Sequence, residues 1–110
     1  MIILTHRLYL KIGEADRAID IVVRKPEPEP SGKAWTCRYE VDWPEGFKAR
    51  DAYGLDALQA LVLALEMIGA EIYTSAYHRE GRLRAYDREA GYGFPVPSSL
   101  RGMLVGVDAI

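Results

Sequence analysis

An α+β fold, with a four- to five-stranded antiparallel meander packed on one long helix in the C-terminal half, is what this sequence predicts. Three observations carry that expectation. Apolar and polar residues alternate over Ile2–Ile12 and again over Trp35–Trp43, which is the period of a half-buried strand. Short turn signals separate successive alternating runs, and tight turns join antiparallel strands only. A Leu- and Ala-rich run begins at Ala57 with apolar residues three and four apart.

In the first run Ile2, Leu4, His6, Leu8, Leu10 and Ile12 share one face, and Ile3, Thr5, Arg7, Tyr9 and Lys11 share the other. Gly13-Glu14-Ala15-Asp16 reads as a turn into a second strand over about 18–25, where Ile19, Ile21 and Val23 alternate with Asp20, Val22 and Arg24. The segment from Lys25 to Lys33 carries Pro26, Pro28 and Pro30 and reads as a stiff exposed connector, because each proline removes a backbone donor and favours an extended path. A third strand over 34–43 sets Trp35, Cys37, Tyr39, Val41 and Trp43 on one face. After the turn Pro44-Glu45-Gly46, a fourth strand over 47–53 is expected to place Phe47, Ala49, Asp51 and Tyr53 on its apolar side.

Asp56 and Gln59 have the spacing of a capping box, in which side chains satisfy the orphan backbone donors of a first helical turn. The helix is expected from about Ala57 to Ala70, with an outer limit at Tyr77, and with Leu58, Leu61, Val62, Leu65, Ile68 and Ile72 as its core face. Arg82–Tyr86 has the character of one more short strand. The tail over 87–110, rich in Gly and Pro, is expected to be mostly irregular. The whole chain of 110 residues reads as a single domain.

Composition narrows the function classes. A formal charge of −2 supplies no field toward nucleic acid or anionic lipid. The apolar run from Leu55 to Ile72 is broken by Asp56, Gln59, Glu66 and Glu71, so no membrane span is expected. The N-terminus is apolar first and basic afterwards, the reverse of a secretory signal. With a single cysteine, Cys37, no internal disulfide can form. A cytoplasmic protein is therefore expected.

Chemistry-bearing residues are few. His6 lies on the apolar face of its strand, where a satisfied histidine competes with a buried base or ligand. His78 falls near the expected helix end, where a cation suits the dipole. Neither has a metal-like neighbour in sequence, so no metal and no cofactor are expected. Cys37, between aromatic residues, is expected to be a buried and unreactive thiol. Asp51 is out of character on an apolar face. It is either a carboxylate with a raised pKa, a candidate base, or a sign that the strand has ended or shifted register. Arg79, Arg82, Arg84 and Arg88 alternate with Glu80, Asp87 and Glu89, which reads as a mixed solvated surface. No phosphate loop or nucleophile elbow is present, so no catalytic residues are assigned.

The apolar arc of the helix is wider than one small sheet requires. Ala60, Leu63, Ala64 and Met67 add a second stripe, which suggests burial against a partner, against a second copy in a homodimer, or beneath the chain's own tail.

The run Gly54-Leu55-Asp56-Ala57-Leu58-Gln59-Ala60-Leu61, with Trp35 before it and Gly93-Phe94-Pro95 after it, resembles a family of small uncharacterised bacterial proteins. That family shows a Gly-x-Asp-x-x-Gln-Ala-Leu motif entering a helix. The resemblance covers about 34–96. It implies a bacterial domain of unknown function and brings no catalytic residue.

The function expected is a non-enzymatic protein–protein interaction module, of the immunity or accessory kind encoded beside bacterial toxins. The competing expectation is a small-molecule-binding domain or minor enzyme with a pocket between helix and sheet. A flat apolar patch favours the first. A pocket lined by Asp51, His6 or a tyrosine favours the second.

Overall fold

The computed structural model describes residues 1–85 and 91–109. It contains β1 (Ile2–Ile12), β2 (Ala15–Arg24), β3 (Glu27–Pro28), β4 (Trp35–Trp43), β5 (Gly46–Gly54), α1 (Ala57–Tyr73), α2 (Ala76–Arg79) and β6 (Leu83–Arg84). Two 3₁₀ segments follow, Ser98–Met103 and Gly106–Ala109. The strands form a sheet in the order β3-β4-β2-β1-β6, with β5 also paired to β4. The long strands are thus neighbours in chain order, as a meander requires, and the fold is α+β.

Four differences from the expected elements have local causes. β2 starts at Ala15, because the turn at Gly13 is tight enough for pairing to resume at once. The proline-rich connector is not wholly without structure. Glu27 and Pro28 pair with Thr36 and Trp35, at the edge position where a strand tolerates proline. α1 stops at Tyr73, where the hydroxyls of Thr74 and Ser75 bond back to the carbonyls of Ala70 and Ile72. The tail is partly ordered into its two 3₁₀ segments. Positions 86–90 and 110 of the expected last strand and tail lie outside the described residues.

The chain divides into two compact units, Met1–His6 with Asp20–Leu65, and Arg7–Ile19 with Glu66–Ile110. β1, β2 and α1 each contribute residues to both.

In the first unit the alternation of the strands becomes their burial. Ile21 and Val23 of β2 and Cys37, Tyr39, Val41 and Trp43 of β4 are all buried. β5 behaves differently from expectation. Its register sets Ala52 opposite Cys37, Arg50 opposite Tyr39 and Lys48 opposite Val41, and directly paired residues share a face. The inner side of β5 is therefore Lys48, Arg50, Ala52 and Gly54, while Phe47, Ala49, Asp51 and Tyr53 point outward. Asp51 is exposed, opposite Arg38. Neither a buried base nor a premature strand end is needed to explain it. Phe47 and Tyr53 misled the pattern, being 63% and 56% exposed.

The helix face is also rotated from expectation. Ala60, Ala64, Ile68 and Ile72 are buried, whereas Leu58 and Val62 are exposed. Close approach decides this. A Cβ on Gly54 would fall on the backbone nitrogen of Ala60, so glycine and alanine meet where larger side chains cannot. The cap forms nearly as read. Asp56 Oδ1 accepts from the Gln59 amide at 2.8 Å, and Gln59 Oε1 accepts from the amide of Leu55 at 2.6 Å, one residue before the usual capping-box donor. Asp56→Ala is expected to cost about 1 kcal/mol in chemical denaturation. An unchanged denaturation midpoint in that variant would remove the cap from the account.

Cys37 is fully buried, with its Sγ 3.3 Å from the carbonyl oxygen of Arg24. Burial, and secondarily the Asp51 carboxylate, push its thiol above the ordinary range. On the outer face Glu40 accepts from Arg24 at 2.9 Å and from Arg38 at 3.1 Å. The Arg24 bond is the main cause of a carboxyl held below its usual range.

In the second unit the buried set is Leu8, Leu10, Ile19, Ile68, Ile72, Tyr73, Leu83, Tyr92, Phe94 and Val96. β6 pairs antiparallel with β1 through Tyr9–Arg84 and Leu10–Leu83. Gly69 sits against the Pro95 carbonyl at a spacing that leaves no room for a Cβ.

Candidate functional site

Polar side chains converge in the second unit, around the end of α1. Ser75 starts α2. Its Oγ accepts from the His78 amide at 3.2 Å while donating to the Ile72 carbonyl at 2.7 Å, which fixes the turn that presents His78. The rings of Tyr73, His78 and Tyr92 then meet edge to face, with centroids 4.8, 5.2 and 5.5 Å apart. Nδ1 of His78 and the Tyr92 hydroxyl are 2.6 Å apart. Offset edge-to-face pairs of this kind are favourable beyond their burial.

Asp108 ties the C-terminal segment to this cluster. Its Oδ2 accepts from the Tyr73 hydroxyl at 2.6 Å and from the Tyr92 amide at 2.7 Å, and its Oδ1 accepts from the Gly93 amide at 2.8 Å. The Val105 amide donates to the Tyr73 hydroxyl at 3.2 Å. Gly91, at φ +89°, leaves no space for a Cβ beside Asp108 and the Val105 carbonyl. Burial first, and the Asp108 bond second, push the Tyr73 hydroxyl far above the ordinary tyrosine range, so it remains a donor. Burial pushes His78 below the ordinary histidine value.

A cleft of about 240 Å³ opens beside the cluster, lined by His78, Gly81, Leu83, Arg84, Gly91, Tyr92 and Val105. It takes no residue from α1, Asp51 or His6. Arg84 is bonded to Asp16 at 2.6 Å and lies 4.7 Å from the centroid of the Tyr9 ring.

The depressed His78 pKa has a consequence for stability. The unfolded chain takes up this proton near pH 6.5, before the folded chain does, so stability falls as pH drops through that value and continues to fall until the lower folded value is passed. The urea midpoint is expected to fall between pH 7.5 and 5.5 more steeply for the wild type than for His78→Gln. Equal slopes would remove His78 from the acid sensitivity.

The residues read from sequence are dispersed. Ala60 and Ala64 are inside the first unit, Leu63 is exposed and Met67 is half-buried, so these four do not form one surface. The helix instead exposes Leu58 (70%) and Val62 (42%), one turn apart, with Leu55 (81%) just before it. His6 is half-buried. Arg79 donates to the Thr74 carbonyl, and Arg82 pairs with Glu80 at 2.9 Å. Among the described residues no group of three His, Cys, Asp or Glu is placed to hold a metal ion, and no helix is long and apolar enough to cross a membrane. Sequence reading missed the Tyr73–His78–Tyr92–Asp108 cluster. The only trace of it was the Gly91-Tyr92-Gly93 run, in which Gly91 permits the close approach of Asp108.

Residues 4–96 match a family model described as a domain of unknown function, DUF6968. The chain belongs to this family. The DUF6968 span includes Tyr73, His78 and Tyr92 but ends before Asp108. No curated protein and no solved structure matches the chain.

Proposed function

We propose that this DUF6968 protein is a non-enzymatic protein–protein interaction module, of the accessory or immunity kind found beside bacterial toxins, working in the cytoplasm. The observation that carries the reading is the exposed apolar strip of Leu55, Leu58 and Val62. Apolar side chains grouped at helical spacing on a surface mark contact sites for a protein partner. The negative net charge, and the pairing of Arg82 and Arg84 with acidic neighbours, argue against a nucleic-acid partner.

The cleft supports the second reading, small-molecule binding, because a tyrosine and a histidine line it. Two facts weigh against that reading. A volume of about 240 Å³ lies below the usual range for ligand pockets, which starts at roughly 300 Å³. The polar groups of His78, Tyr92 and Arg84 already bond within the protein.

A photo-crosslinking residue at Leu58 or Val62, in cells of the native host, tests the choice. The expected result is one and the same protein adduct from both positions and none from Arg50. No adduct at either position overturns the interaction reading. Saturable amide shifts at Gly81, Leu83 and Val105 with a metabolite would replace it with the second.

A further inference from the structure

α1 is one-sided in charge as well as in polarity. From Ala52 to Tyr77 the chain has no Lys or Arg, and its charged residues there, Asp56, Glu66 and Glu71, are all acidic. The 14 Lys and Arg residues of the protein all lie outside that stretch, so its sign is not that of an average, mixed surface. Asp56 belongs to the exposed strip itself. It sits between Leu55 and Leu58, is exposed, and keeps its charge while its Oδ1 accepts from the Gln59 amide. That carboxylate stands at the positive end of the α1 dipole and offsets it, so an approaching cation meets no net repulsion there.

The apolar part is short. Leu55, Leu58 and Val62 follow the spacing of one helical face over about two turns. Three aliphatic side chains present far less than the roughly 800 Å² per partner of a standard stable interface. The strip therefore has the size of one short segment. A second copy laid on it would set one acidic helix against another, with no Lys or Arg in either to compensate.

We propose that this strip, read above as a protein contact, receives a short amphipathic helix from a basic partner protein; the proposal rests on that reading and adds the chemistry of the partner. Apolar residues of the partner, three and four apart, pack on Leu55, Leu58 and Val62, and Lys or Arg residues beside them answer the acidic surface of α1. The apolar contact holds the complex. The flanking charges raise the association rate and reject acidic partners, because like charges brought together at an interface are costly.

Two peptides of about 14 residues test this, one with Leu at helical spacing and Lys elsewhere, the other with Glu in place of every Lys. Each is titrated into the full chain and followed by backbone amide shifts. The Leu/Lys peptide is expected to shift the amides from Leu55 to Val62 saturably, and the Leu/Glu peptide to leave them unmoved. Raising salt from about 50 to 500 mM should weaken the Leu/Lys complex by roughly ten-fold. Leu58→Gln and Val62→Gln, both at exposed positions, should each weaken it by about five-fold or more. Equal binding of the two peptides, binding of neither, or shifts that map elsewhere and survive both Gln variants overturns the proposal. Sequencing the segment crosslinked at Leu58 separates this outcome from the contact itself. An excess of Lys and Arg in that segment is expected. An acidic segment, or a second copy of this chain, overturns the basic partner and leaves the strip as a contact. Absence of any adduct removes the contact, and the basic partner with it.

Discussion

Asp108→Ala is expected to lower the melting temperature by roughly 10 °C or more, although Asp108 lies near the end of the chain and outside the span matched by the family. One carboxylate there satisfies the Tyr73 hydroxyl and the amides of Tyr92 and Gly93. Removing it leaves the Tyr73 hydroxyl and the Tyr92 amide facing protein rather than water, while the Gly93 amide is exposed. A hydrogen bond to a charged group contributes about 1.5–3 kcal/mol, and an abandoned buried donor costs a similar amount. The three bonds share one acceptor group and are not additive, so about 3 kcal/mol in total is the expectation. Asp108→Asn, which keeps an acceptor oxygen, should lose less. Thermal unfolding followed by circular dichroism reads both variants. An Asp108→Ala protein that melts with the wild type would show that the C-terminal segment does not anchor the Tyr73–His78–Tyr92 cluster.

The second large effect is Gly69→Ala. By helix propensity alone the change should stabilise α1 by about 1 kcal/mol. The added methyl, however, would occupy the space of the Pro95 carbonyl, a backbone group that cannot rotate away. Overpacking of that kind costs about 1–3 kcal/mol, and more where backbone must shift, so a net loss of about 2 kcal/mol is expected. Gly102→Ala, which meets nothing within 4 Å, is the matched control and should change little. Stabilisation by Gly69→Ala would mean that the segment after Gly93 gives way easily.

The sequence was legible where one residue decides one thing. Alternation located β1, β2 and β4 and the buried faces of β2 and β4, but on β1 only Leu8 and Leu10 of the expected face are buried, while Ile2, Leu4 and Ile12 are exposed. Asp56 and Gln59 located the start of α1. The pattern failed where burial depends on what lies opposite. β5 carries Phe47 and Tyr53 on its solvent side, and only the pairing register with β4 reveals that Ala52 is the inward residue. On α1 the pattern assigns the largest side chains to the core. The fold instead buries Ala60 and Ala64, because Gly54 draws the helix backbone close, and a rule that ranks residues by apolar size cannot see that approach. The Tyr73–Asp108 bond joins residues 35 positions apart in the chain, and neither has a sequence neighbour that signals the other. No spacing rule could have found that cluster.

The charged inner face of β5 bears on how far assembly can go. A chain with two sticky sheet edges can add copies without limit, and its end product is a fibre. Among the described residues β5 pairs with β4 alone, and the inner face of β5 carries Lys48 and Arg50. A strand from another chain would have to desolvate those charges to add on, so neutralising Lys48 and Arg50 together would open β5 to edge-to-edge pairing.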